Sequence, residues 1–134
     1  MAYWLLKSEP STYSYSDLER NKQTTWDGVS NSLALKHLRT MKKGDLAFIY
    51  HSGDEKAIVG VAEIISNPFP DPKLDDEKLI VIDVKPKEKL KNPITLKAVK
   101  VRKEFAQLEL VRMSRLSVMP VSAAHWKTLL AMSK

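Results

Sequence analysis

Two neighbouring apolar runs constrain the fold of this chain more than any other feature of its sequence. Leu46–Tyr50 and Ala57–Ile65 are rich in the β-branched and aromatic residues that favour strands. The polar segment Ser52–Lys56 joins them and contains a glycine and an aspartate, residues common in hairpin connections. The pattern predicts an antiparallel hairpin, and with it a sheet on which the other elements pack.

Further strands and helices are predicted on both sides of this hairpin. Apolar runs predict a first strand at Tyr3–Leu6 and a third at Leu79–Val84. Helices are predicted where a capping residue precedes apolar positions at helical spacing: from Ser14 with Asp17 to about Asn21, from Ser30 or Asn31 to near Met41, and from Ser122, with Val121 and Trp126 as a hydrophobic staple. One or two short helices are expected within Thr95–Leu108. The result is a small α+β domain.

Length and composition indicate an ordinary globular protein. The chain has 134 residues, and we expect residues 1–134 to form a single domain around one core. No apolar run is as long as a membrane span, and the N-terminal segment lacks the pattern of a signal peptide. There is no cysteine, which excludes disulfides and zinc sites with sulfur ligands. We therefore expect a cytoplasmic protein without a membrane partner.

The common catalytic and cofactor motifs are absent. The three histidines, His37, His51 and His125, have no spacing typical of metal ligands. With four glycines, the chain has neither a dinucleotide-binding loop nor a Walker A loop, and no serine lies in a GxSxG elbow. We therefore predict no metal, no cofactor and no catalytic activity.

Polar and aromatic residues instead cluster where strands end and helices begin. These residues are Ser8, Glu9 and Pro10, then Trp26, Asp27 and Asn31, and finally Tyr50, His51 and Ser52. An aromatic face with a few polar groups is what recognition of an unstacked base requires, because the base is stacked and its edge is hydrogen-bonded. For Trp26 a purely structural place in the core remains the alternative.

Positive charge is concentrated in the second half of the chain. The net charge is +6, and eight basic residues against Glu88 alone fall between Lys85 and Lys103. Such a block can attract phosphates or form a solvated lysine-rich surface, and the sequence leaves both open. Arg112 and Arg115 form a second cluster in an apolar stretch, where solvation is a weaker explanation.

Seven strings in the sequence, in order and spacing, resemble one known family, the EVE domain family of the PUA-like superfamily. They are YWLLKSEP, YSYSDL, WDGVSN, LRTMKKGDLAFIYHS, IVGVAEI, PDP and LVRMSRLSVMPVSAAHW, and they span nearly the whole chain. The resemblance implies a PUA-like fold, with a curved, mostly antiparallel, barrel-like sheet flanked by short helices and a pocket for a modified base in DNA or RNA. The family string WDGVRN has Ser30 in place of its arginine here, which removes a positive group beside Trp26.

The resemblance also implies roles for individual residues. Trp26 would stack on the base, and Glu9 would accept hydrogen bonds from an exocyclic amine. Other residues would line the pocket or contact a phosphate or carboxylate near its mouth: Ser8, Asn31, Tyr50, His51, Ser52, Arg112, Ser114 and Arg115.

The function predicted from these features is non-catalytic capture of a modified base in nucleic acid. Two other readings remain: a sensor of a free modified nucleoside, and a nucleoside-processing enzyme with His51 and Glu9 as acid and base. The sequence offers neither an activated nucleophile nor a set of metal ligands beside His51 and Glu9, and this makes the interpretation as an enzyme the weaker one.

Overall fold

The computed structural model describes residues 1–134. The strands are β1 (Tyr3–Ser8), β2 (Thr24–Trp26), β3 (Leu46–His51), β4 (Ala57–Ile64), β5 (Phe69–Pro70), β6 (Ile80–Thr95) and β7 (Val118–Val121). The helices are α1 (Tyr15–Asn21), α2 (Ser32–Thr40), α3 (Leu96–Lys100), α4 (Glu109–Arg112) and α5 (Ala123–Met132), with a 3-10 helix at Lys103–Phe105. None of the helices is long and apolar enough to cross a membrane.

The strands form a strongly curled sheet in the order β2-β6-β4-β3-β1-β7, with β5 paired to β6 beside this path. The predicted hairpin is confirmed, because β3 and β4 pair antiparallel. β1 lies parallel to β3 and antiparallel to β7. The parallel pair brings the ends of two strands together, with Ser8 opposite His51. Two of the predicted clusters of polar residues therefore meet at one edge of the sheet.

The helix caps predicted from the sequence are present. In α1 the Ser14 hydroxyl accepts from the Asp17 backbone N–H at 3.1 Å, and the Asp17 carboxylate accepts from the Ser14 N–H at 2.9 Å. Asn31, not Ser30, caps α2, and Ser122 caps α5. Each cap satisfies backbone donors that the first turn of a helix leaves unpaired. The starts of these helices are therefore fixed by local sequence.

The core lies between the sheet and the helices and includes Trp126. The Trp126 ring is stacked between Tyr3 and Phe48, with ring centroids 4.6 and 3.9 Å away. Val121 and Trp126, the predicted staple residues, are both buried. The anchor of the last helix thus packs directly on β1 and β3.

A buried carboxylate fixes the start of β1 beside β3. Asp45 accepts hydrogen bonds from the Ala2 and Lys42 backbone N–H groups and from the Trp4 indole N–H, at 3.0 to 3.1 Å. Burial opposes ionisation of Asp45, but these hydrogen bonds outweigh burial and hold its pKa below the usual value. Asp45 therefore links the N-terminal segment to the turn before β3.

Several elements differ from their predicted extents. The third predicted strand continues as β6 to Thr95, so that much of the lysine block lies on a strand. β2, β5 and β7 were not predicted, because each has only two to four residues and is stabilised by pairing with another strand. Two short helical segments, α3 and the 3-10 helix, fall within Thr95–Leu108 as expected, and α4 follows them.

Candidate functional site

A cavity of about 590 Å³ opens between the end of β1 and β2, two strands that are not neighbours in the sheet; we call it the aromatic cavity. Its walls come from the end of β1 and the turn after it, from β2, and from one loop lysine, Lys73. The lining residues are Lys7, Ser8, Glu9, Thr12, Tyr13, Thr24, Thr25, Trp26, Asp27 and Lys73. Three residues predicted from sequence, Ser8, Glu9 and Trp26, therefore share one cavity.

Trp26 lies in the wall of the aromatic cavity and also in the core. β2 places it opposite Ile82 of β6, and its residue exposure is 8%. Tyr13 meets it edge to face, with ring centroids 6.3 Å apart and an interplanar angle of 87°. This pair gives one wall of the cavity an aromatic surface, a geometry favourable to a flat ligand.

The turn after β1 is held by hydrogen bonds that fix the other wall. The Thr12 and Tyr13 backbone N–H groups donate to the Glu9 carbonyl at 2.9 Å, and the Ser8 hydroxyl donates to the Tyr13 carbonyl. The Glu9 carboxylate accepts from the Ser11 N–H and hydroxyl at 3.2 and 3.1 Å. Glu9 is exposed and forms no ion pair, so its carboxylate can still accept bonds from a ligand.

Gly53 allows the hairpin turn to approach Glu9. Its φ of +75° is a backbone conformation that residues other than glycine rarely adopt. A Cβ at this position would lie 2.5 Å from Glu9 Oε2. The turn between β3 and β4 therefore packs against the rim of the aromatic cavity.

The end of β3 lies next to this rim and does not line the aromatic cavity. It contains the predicted residues Tyr50 and His51, with Ser52 directly after them. The Tyr15 backbone N–H donates to His51 Nε2 at 3.0 Å, and His51 Nδ1 lies 2.7 Å from Glu55 Oε1. This pattern assigns the proton to Nδ1, which donates to Glu55. Both ring nitrogens are thus used, and the Ser52 N–H donates to the Ser8 carbonyl at 2.9 Å.

A second cavity of about 510 Å³ contains the other predicted residues; we call it the arginine cavity. Asn31, Arg112, Ser114 and Arg115 line it. The Asn31 side-chain oxygen is occupied, because it accepts the Leu33 and Ala34 N–H groups at 3.0 Å. Arg112 Nε donates to the Gln107 carbonyl at 3.3 Å, and neither arginine forms an ion pair. Both guanidinium groups retain donors for an anionic ligand.

Lys7 connects the two cavities. It lines the aromatic cavity, and its Nζ donates to the carbonyl of Ser114, a residue of the arginine cavity, at 2.9 Å. Its backbone N–H donates to the Ser117 carbonyl at 2.9 Å. Sequence reasoning missed Lys7 and Tyr13 as lining residues, although Lys7 adjoins the predicted Ser8. Asp27 was expected in the polar cluster beside Trp26, without a role of its own.

The chain is similar over nearly its whole length to several known proteins. Thymocyte nuclear protein 1 of Mus musculus is 33% identical, over 98% of this chain and 74% of that protein. The NMR structure of Rpa0253 from Rhodopseudomonas palustris is 44% identical with a TM-score of 0.94, covering 99% of this chain and 93% of that one. A crystal structure of human THYN1 protein in complex with DNA containing 5-methylcytosine is 28% identical with a TM-score of 0.91, covering 100% and 98%.

The family expected from the sequence strings is confirmed by these comparisons. The α+β, PUA-like fold expected with it is confirmed as well. The model of the EVE domain matches residues 2–132, nearly the full length. This chain belongs to the EVE domain family.

Proposed function

We propose that this chain is a non-catalytic module that binds a modified base of DNA. In this proposal the base occupies the aromatic cavity and the flanking phosphates contact the arginine cavity. The observation that carries it is the wall formed by Trp26 and Tyr13, beside free polar groups, in an open cavity of about 590 Å³. Proteins that capture unstacked bases combine such stacking with hydrogen bonds to the base edge.

Similarity to a DNA-bound relative supports the nature of the ligand. Human THYN1, which was crystallised with DNA containing 5-methylcytosine, matches the whole of this chain with a TM-score of 0.91. We take 5-methylcytosine as the first base to test here. RNA with the same base is the other arm of the test.

The arginine cavity favours nucleic acid over a free nucleoside as the ligand. Arg112 and Arg115 are exposed and lack carboxylate partners. Arg112 ends α4, and Arg115 follows Ser114, whose carbonyl accepts a hydrogen bond from Lys7. Guanidinium groups of this kind bind phosphates through charge-assisted hydrogen bonds. A nucleoside has no phosphate to accept them. An acid–base role for His51 has less support, since both of its ring nitrogens are engaged within the fold.

The paired variants Trp26→Phe and Trp126→Phe test the stacking role. Both shorten a buried tryptophan, but only Trp26 lines the aromatic cavity. Stacking of a base is typically worth about 1 to 3 kcal/mol, so Trp26→Ala should weaken binding roughly tenfold to a hundredfold, and Trp26→Phe should show part of that loss. Binding is measured by titration with DNA strands that differ at one 5-methylcytosine.

The same titration identifies the outcomes that count against the proposal. Trp126→Phe should bind like the parent, with thermal unfolding showing that both variants are folded. If Trp26→Phe also binds like the parent, the tryptophan only packs in the core and the stacking role fails. If the parent does not prefer the modified base over cytosine in DNA or RNA, recognition of the modification fails.

A further inference from the structure

Lys7 has an unusual position for a lysine at the end of a strand. It is half-buried in the wall of the aromatic cavity, and its Nζ lies 5.5 Å from the centroid of the Tyr50 ring. One hydrogen bond anchors the ammonium, to the Ser114 carbonyl at 2.9 Å. An ammonium group carries three donors, so two are left without a protein acceptor.

No carboxylate compensates the charge of Lys7. None of the ion pairs in the structure includes it, although Glu9 is only two residues away. Burial lowers the pKa of Lys7, which is the direction expected for a cation removed from water without a counter-charge. For stability alone, an apolar side chain of the same length would avoid this desolvation. The half-buried ammonium therefore keeps two donors beside the aromatic cavity with no carboxylate to bind them.

An acceptor of the opposite kind is present in the same cavity. The Asp27 carboxylate lines it and makes no hydrogen bond or ion pair within the protein. A fixed donor and a free acceptor match the edge of a base that carries both a ring acceptor and an amino group, as cytosine does.

We propose that Lys7 is a specificity-determining residue that donates a hydrogen bond to an acceptor atom on the edge of the bound base. This inference rests on the proposed function, because it requires the base to occupy the aromatic cavity. A phosphate contact is the competing role for a lysine. The exposed arginines supply that chemistry in the neighbouring cavity, whereas Lys7 shares its cavity with Trp26 and Tyr13.

The test separates the base from the phosphates by means of two short strands. One strand consists only of abasic sugar-phosphate units. The other is the same strand with a single 5-methylcytosine at its centre. The ratio of the two affinities measures recognition of the base alone. Lys7→Met keeps the length and the apolar stem but removes the donor. Lys127→Met removes one positive charge from an exposed lysine of α5, outside both cavities, as the control.

Lys7→Met should lower the ratio about tenfold or more, the effect typical of removing a hydrogen bond to a charged group. Lys127→Met should leave the ratio unchanged. If Lys7→Met weakens both strands equally, Lys7 contacts phosphate and the inference is overturned. An unchanged ratio overturns it as well. If Lys7→Met does not fold, Lys7→Gln, which keeps a neutral donor, should retain part of the ratio, and a full parental ratio would count against the inference.

The parent protein shows whether the proposed function itself fails. A parental ratio of one means that the protein does not recognise the base at all, and both proposals fall. Suppose that the parental ratio is high, that Trp26→Phe lowers it and that Lys7→Met does not. The proposed function is then supported, and only the role of Lys7 is excluded.

Discussion

Trp26 and Trp126 are both buried tryptophans, but the groups around their rings differ. Their exposures are similar, 8% and 5%. Trp126 is stacked between two core rings, whereas Trp26 meets Tyr13 edge to face at a cavity wall. Exposed fraction alone does not separate a structural tryptophan from one that is open to a ligand. The distinction rests on which groups lie on the free side of the ring.

Trp126→Ala should strongly destabilise the fold. Removing the ring leaves Tyr3 and Phe48 without their shared partner and opens a cavity between α5 and the sheet. Losses of about 3 to 5 kcal/mol in the free energy of unfolding are typical for such a change. Denaturant unfolding measures it, with Trp126→Phe as a milder control. A midpoint equal to that of the parent would show that this ring does not stabilise the core.

At the residue scale, the sequence located part of the aromatic cavity but not its full lining. Ser8, Glu9 and Trp26 were selected because polar and aromatic groups gather where strands end. Lys7 was not, because a lysine in a strand is ordinarily solvated and its burial depends on Tyr50 and Ser114, which are distant in sequence. The inward turn of His51 likewise depends on a backbone donor of α1.

At the scale of elements, β6 is the part of the fold that the sequence described least well. Its apolar start, Ile80–Val84, was predicted, but the strand continues through exposed lysines to Thr95. Pairing with β4 sustains this extension, with Gly60 opposite Lys89 and Ile58 opposite Ile94. Alternating lysines do not predict a strand, since only long-range pairing makes such a segment extended.

Reversing the charge of three lysines of β6 tests whether this strand attracts phosphates. Lys87, Lys89 and Lys91 are exposed and form no ion pair, unlike Lys85, which lies 4.0 Å from Glu63. Their replacement by glutamate should weaken DNA binding equally across sequences. The dependence of log affinity on log salt should become shallower by roughly one unit for each phosphate that β6 no longer neutralises.

A control with the same change in net charge separates local contact from overall charge. Replacing Lys36, Lys43 and Lys127 by glutamate alters exposed lysines on α2, in the turn before β3 and on α5. If both triple variants bind DNA with equally reduced affinity, the effect belongs to net charge. If neither changes affinity or salt dependence, the β6 lysines form only a solvated surface.

At the scale of the whole molecule, the site depends on pairings between segments that are far apart in sequence. β1 contacts β3 on one side and β7 on the other, and β2 contacts β6. These pairings bring the ends of β1 and β2 to one cavity and place the arginine cavity beside it. Elements and caps followed from local patterns, but strand order did not, because no local pattern encodes which distant strands pair. The resemblance to a family implied only a curved, mostly antiparallel sheet, without the order of its strands.

The double variant Arg112→Ala and Arg115→Ala tests whether the two cavities act together on a nucleic acid. If both guanidinium groups contact phosphates, each contact releases counterions when DNA binds. The salt slope for duplex DNA should then become shallower by about two units, because each phosphate contact contributes roughly 0.9. Affinity for free 5-methyl-deoxycytidine should stay the same, since a nucleoside has no phosphate.

The comparison between DNA and nucleoside decides between the remaining readings. A loss of nucleoside affinity in the double variant would place the arginines at the base itself, contrary to the division between the two cavities. An unchanged salt slope for DNA would instead show that neither arginine contacts phosphate. If the parent binds the nucleoside as tightly as DNA and with no salt dependence, it senses a small molecule. A cation that neutralises a DNA phosphate always releases counterions and so makes affinity depend on salt. Without that dependence, Arg112 and Arg115 do not bind DNA phosphates, and their free donors would bind a different anion.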